Sequence, residues 1–104
     1  MIGRVPDRLT SEAFAGRIGE AFEVLSAEGS PLALVLSECE ADRYERSFSL
    51  LFHARDGRLE PQQTFRARHP ELGEFDLFLV PLGPDEGGMR YEAIFTEAPA
   101  SSNR

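Results

Sequence analysis

The sequence predicts a mainly β domain, with six mostly antiparallel strands curled into a small barrel or a two-layer sandwich and one short N-terminal α-helix. Three observations lead there. Six runs alternate large apolar residues with other types, the period of two expected when successive strand side chains point to opposite faces. The runs are separated by clusters of Gly, Pro, Asp and Ser, which break ladders and turn the chain. Helix-start signals occur around Thr10. Closure protects strand edges better than two open sheets, which favours a barrel with the helix across one end.

Residues 1–8 read as an extended arm and residues 9–96 as the single domain. Thr10 is a good N-cap, Ser11 and Glu12 suit a helix first turn, and Leu9 and Phe14 are spaced as a hydrophobic staple. A helix over 11–18 is expected, with Phe14 and Ile18 on one face and Gly16 and Gly19 limiting its length. Strands follow at 20–25, with Phe22 and Val24 inward, and at 32–38, with Leu32, Leu34 and Leu36 inward. The charged stretch 40–46 reads as an exposed loop. In the next strand Phe48, Leu50, Phe52 and Ala54 alternate with Ser49, Leu51 and His53. The segment 55–58 turns the chain, and Pro61 precedes a strand over 63–69. The last two strands, 75–80 and 89–96, are expected to be joined by a long loop, because Pro81, Gly83, Pro84, Gly87 and Gly88 are poor residues for a central strand. Residues 97–104 lack the apolar content to order themselves and read as a disordered tail.

The hairpin between Thr64 and Leu77 allows its register to be deduced. Pairing Arg66 with Asp76 and Arg68 with Glu74 sets Phe65 opposite Leu77 and Ala67 opposite Phe75, so charge and burial match together. A slip by one residue would oppose Arg68 to Phe75. Exposed ion pairs contribute little, so the apolar set is what fixes this register.

The last hairpin supplies the candidate site. Phe75, Leu77, Leu79, Met89, Tyr91, Ala93 and Phe95 form its core face, yet the opposite face carries Phe78, Val80 and Ile94. Leaving such a side chain wet forgoes about 1.5–3 kcal/mol of burial. The three residues are therefore expected to be covered, either by the chain's own helix or another sheet layer, or by a protein partner or a second copy of the chain.

Composition narrows the function classes. The chain has 104 residues, one cysteine and a net charge of −7, and all its basic residues are Arg. The acidic balance argues against nucleic acid and anionic membrane. A lone Cys39 excludes an internal disulfide, no run approaches 18 apolar residues, and a cytoplasmic location is the natural expectation. Neither metal nor cofactor is expected. The carboxylates at Glu38, Glu40 and Asp42, and at Asp85 and Glu86, lack the spacing of a calcium loop, and the carboxylates of GPDEGG would repel phosphate. Cys39 lies between Glu38 and Glu40, which disfavours a thiolate. A hydrolase would need His53 or His69 to converge with Glu38 or Asp42 in a cleft. A small apolar-ligand binder would need a cavity inside the barrel or beneath the 81–88 loop.

Several motifs resemble those of a family of short bacterial proteins of unknown function. They are an LT…F helix start at Leu9, Thr10 and Phe14, the FSLLF run at Phe48 to Phe52, the HPELG turn at His69 to Gly73, the FLVP-x-G strand end at Phe78 to Gly83, and GMRYEAIF at Gly88 to Phe95. The resemblance covers most of 9–96 and carries over no catalytic residue. It implies genes near those of phage-tail-collar-like proteins and so points toward an assembly role. The sequence reading is thus a non-enzymatic interaction or structural module, with the Phe78, Val80 and Ile94 face as its contact surface.

Overall fold

The alternating runs close on themselves. In the computed structural model, which describes residues 9–42 and 47–96, the elements are α1 (Ser11–Ala15), β1 (Ala21–Leu25), β2 (Pro31–Asp42), β3 (Ser47–Ala54), β4 (Gln63–His69), β5 (Gly73–Asp85) and β6 (Gly88–Thr96). The strands form a closed antiparallel ring in the order β1-β2-β3-β6-β5-β4, with β4 returning to β1. This is the barrel arrangement, with the helix at one end. The 1–8 arm and the 97–104 tail lie outside the described residues.

Two long strands make so small a ring possible. Residues 31–35 of β2 pair with β1 and 35–42 with β3, with an irregularity at Ser37. Residues 73–79 of β5 likewise pair with β4 and 80–85 with β6, with an irregularity at Leu82. An extra residue bends a strand and raises its twist, so each bulge lets one strand serve two neighbours around a corner. The register deduced for β4 and β5 is the observed one, with Arg66 opposite Asp76, Arg68 opposite Glu74 and Phe65 opposite Leu77.

Three expectations are corrected here. The helix ends at Ala15, not Ile18. Gly16 caps it, and the chain is then drawn into the sheet as the Gly19 N–H donates to the Leu36 carbonyl (2.7 Å) and the Leu36 N–H to the Glu20 carbonyl (3.1 Å). Ile18 is exposed as a result. The supposed loop over 81–88 is mostly strand: β5 runs to Asp85 and a tight turn leads to β6 at Gly88. Beyond Leu79, β5 has β6 as its sole strand neighbour among the described residues, so Pro81 and Pro84 interrupt at most one ladder. Likewise β2 continues through Glu40 to Asp42, where a loop was expected, and residues 43–46 lie outside the described residues.

The interior is filled from both ends. At one end Phe14 projects from α1 into four rings, with centroids 6.1 Å from Phe22, 5.9 Å from Phe48, 6.0 Å from Phe75 and 5.6 Å from Phe95. Thr10 holds the helix start by accepting the Ala13 N–H at 3.1 Å, and Leu9 is buried beside it as the staple requires. Toward the other end Tyr91, fully buried, ties down the link between β3 and β4. Its hydroxyl donates to the Arg58 carbonyl and accepts the Glu60 N–H, both at 2.7 Å.

Candidate functional site

The ring order decides which outward residues become neighbours. On the outside of β2, β3, β6 and β5 the pairing makes one row of Glu38, Leu51, Glu92 and Val80. Two residues further along each strand comes a second row of Glu40, Ser49 and Ile94. Phe78 would complete that row, but the ladder between β5 and β6 stops at Val80 and Glu92. Beyond that point the two strands part. Residues 75–79 of β5 pair only with β4, and residues 93–96 of β6 pair only with β3, which leaves each with an unpaired edge among the described residues.

Parting keeps the outward apolar residues uncovered. Phe78 is 51% exposed and Ile94 69%, while Val80 and Leu51 are half-buried. The expected cover from the chain's own helix or a further sheet layer is not present among the described residues. The apolar face of α1 is spent on the barrel end through Phe14, and among the described residues the ring has no second layer outside it. A shallow groove of about 310 Å³ runs beside Ile94, lined by Glu40, Ala41, Ser47, Ser49 and Glu92. It lies outside the strands; the interior is occupied by Phe14, Phe22, Phe48, Phe52, Phe65 and Tyr91. Glu38 and Glu40 are exposed and Glu92 half-buried, and none of the three has an ion pair among the described residues. Arg90, on the same side of β6, instead turns to the carbonyls of Gly83 and Leu82 (3.2 Å each).

Next to these rows lies a line that the sequence reading missed. The Ser37 hydroxyl lies 2.5 Å from His53 Nδ1, and His53 Nε2 lies 3.0 Å from both oxygens of Asp85. The carboxylate on Nε2 favours a proton there, which leaves Nδ1 to accept from Ser37. The bond to His53, the Gly87 N–H at 2.8 Å and the nearby Arg90 hold the Asp85 carboxyl below the usual carboxylate range. A Cβ at Gly87 would lie 3.0 Å from His53 Cδ2, so any larger residue there would have to push the imidazole aside. The line joins the β2 bulge to the β5–β6 turn through β3. No spacing in the sequence announces it, since its members are 16 and 32 residues apart and meet only through the ring order.

The histidines therefore take other carboxylates than expected: His53 takes Asp85, and His69 takes Glu20 at 2.8 Å; neither bonds Glu38. The Asp42 side chain lies outside the described residues. His69 is buried against Phe22, and its Nδ1 accepts the N–H groups of Glu71 (3.0 Å) and Leu72 (3.3 Å), so it serves as a cap for the β4–β5 turn. Burial pushes the Cys39 thiol up, and its Sγ donates to the Ser11 carbonyl. Among the described residues no group of three or more metal-ligating side chains converges, and no helix is long and apolar enough to cross a membrane.

The chain belongs to the family described as a domain of unknown function (DUF6916), whose model matches residues 9–95. No curated protein and no solved structure matches it.

Proposed function

We propose that this member of the DUF6916 family is a non-enzymatic interaction module that docks a protein partner on the outside of β5, β6 and β3, at Phe78, Val80, Leu51 and Ile94. The observation that carries the reading is the exposure of Phe78 (51%) and Ile94 (69%) on strands whose other faces are fully packed. A partner that covers them gains the burial the chain itself forgoes, and the unpaired edge at 93–96 offers it a strand to pair with. Self-association is one form of this reading. The bacterial setting beside phage-tail-collar-like proteins that the motifs imply would make the partner a component of such an assembly.

The test is affinity capture from the native host with wild type beside Phe78→Asp, both shown folded by circular dichroism. A protein recovered by wild type and lost with the variant is the expected result. Recovery of the same proteins by both would end the reading.

One observation favours a second reading, a hydrolase. Ser37, His53 and Asp85 stand in the order nucleophile, base, orienting carboxylate, with Ser37 poised to give its proton to Nδ1. Against it, Arg90 is held by carbonyls and no second donor converges on Ser37 among the described residues to receive an oxyanion. A fluorophosphonate probe decides: covalent labelling of Ser37 that is lost in His53→Ala supports the hydrolase, and an unlabelled protein removes it.

A further inference from the structure

The docking face carries a charge signature as well as an apolar one. Glu38 and Glu92 flank Leu51 in one row, and Glu40 stands in the next row with Ser49 between it and Ile94. Three carboxylates thus rim the apolar residues, with no ion pair to any of them among the described residues. Elsewhere on the outside of the ring the acidic residues are paired: Glu23 with Arg68, and Asp76 and Glu74 with Arg66. Burying three unpaired carboxylates under a neutral or acidic surface is costly. A second copy would bring the same three residues and a further charge of −7 against them.

We infer, resting on the docking reading above, that the occupant is an extended segment of another protein in which Arg or Lys alternates with large apolar residues. Its cations meet Glu38, Glu40 and Glu92, and its apolar side chains lie on Ile94, Leu51, Val80 and Phe78. The groove beside Ile94, lined by Glu40, Ala41, Ser47, Ser49 and Glu92, lies between the carboxylates and the apolar residues and would seat such a segment across β2, β3 and β6. Association is accelerated by the charges and falls with salt.

The experiment is fluorescence anisotropy on the full chain with three labelled peptides of equal length, alternating Val and Leu with Arg, with Ser, or with Glu. The Arg peptide alone is expected to bind, with Kd weakened roughly tenfold or more by the folded triple variant Glu38→Gln, Glu40→Gln, Glu92→Gln and by about 0.5 M salt. Failure of the Arg peptide to bind, equal binding of the Ser peptide, or an unchanged Kd in the triple variant overturns the inference. So does an Arg4→Ala, Arg8→Ala variant that binds the Arg peptide tenfold more tightly, because the chain's own arm would then be the occupant. Capture of the native partner separates the two levels. If the triple variant still captures it and Phe78→Asp does not, the charge signature is wrong and the docking face stands; if both capture it, both fall.

Discussion

The ring turns two unlike surfaces outward. Across β1, β4 and the first half of β5, Glu23, Arg68, Arg66, Glu74 and Asp76 answer one another in ion pairs of 3.0–3.4 Å, and among the described residues between them stand no large exposed apolar groups other than Phe78 at the border. Across β2, β3 and β6, Glu38, Glu40 and Glu92 answer nothing among the described residues, with Leu51 between Glu38 and Glu92 and Ile94 at the end of the Glu40 row. Both surfaces cover the same apolar interior and obey the same alternation. The first pairs its own charges, whereas the second is the surface proposed above as half of a contact. A surface that folding does not need should be separable from stability by mutation, and that is where the contrast can be broken.

The largest effect is expected inside. Phe14→Ala removes a ring packed on four others and should cost about 3–5 kcal/mol in urea unfolding. The same truncation at Phe78 should stay within about 0.5 kcal/mol of wild type. A comparable loss at Phe78 would make that face part of the fold and erase the contrast.

Gly88 comes next. It has φ +121°, and a Cβ there would lie 2.2 Å from the Ala54 carbonyl oxygen, so Gly88→Ala should cost about 2–4 kcal/mol. Gly87→Ala meets only the end of the His53 ring and should cost under about 1 kcal/mol, with the ring displaced from Asp85. Thermal melts of the two variants side by side check the difference.

Tyr91→Phe keeps the ring but strips partners from the Arg58 carbonyl and the Glu60 N–H, and a loss of about 1–3 kcal/mol is expected. It should leave binding at the second surface unchanged, because the hydroxyl faces the opposite end of the barrel from Phe14.

The smallest effect concerns Asp85. Its carboxyl titrates lower in the folded chain than in the unfolded one, so the stabilisation it brings is present above the ordinary carboxylate value and is lost as the pH falls through its depressed folded value. Melting temperatures taken from about pH 5 down to about pH 2.5 should fall less steeply in Asp85→Asn than in wild type. Parallel curves would remove Asp85 from the account of acid sensitivity.

What the sequence made legible follows distance along the chain. Thr10, Leu9 and Phe14 announce the helix start, and the Arg66–Asp76 register is readable because both strands belong to one hairpin whose charges and apolar residues agree. Phe78, Val80 and Ile94 could be named from parity alone. Their surroundings could not, because Leu51 meets Glu92 through the pairing of β3 with β6, strands more than thirty residues apart. The same pairing order brings Ser37, His53 and Asp85 together. The Pro and Gly residues of 81–88 misled because their cost was assessed for a strand paired on both sides, and β5 there has one neighbour among the described residues.

The most direct test of the central claim is amide hydrogen exchange on the full chain with and without its captured partner. Slower exchange on binding is expected at residues 76–80 and 92–96, with the outward face of β1 and β4 unchanged. Protection concentrated around Glu23, Arg66 and Arg68, with 92–96 unaffected, would contradict it.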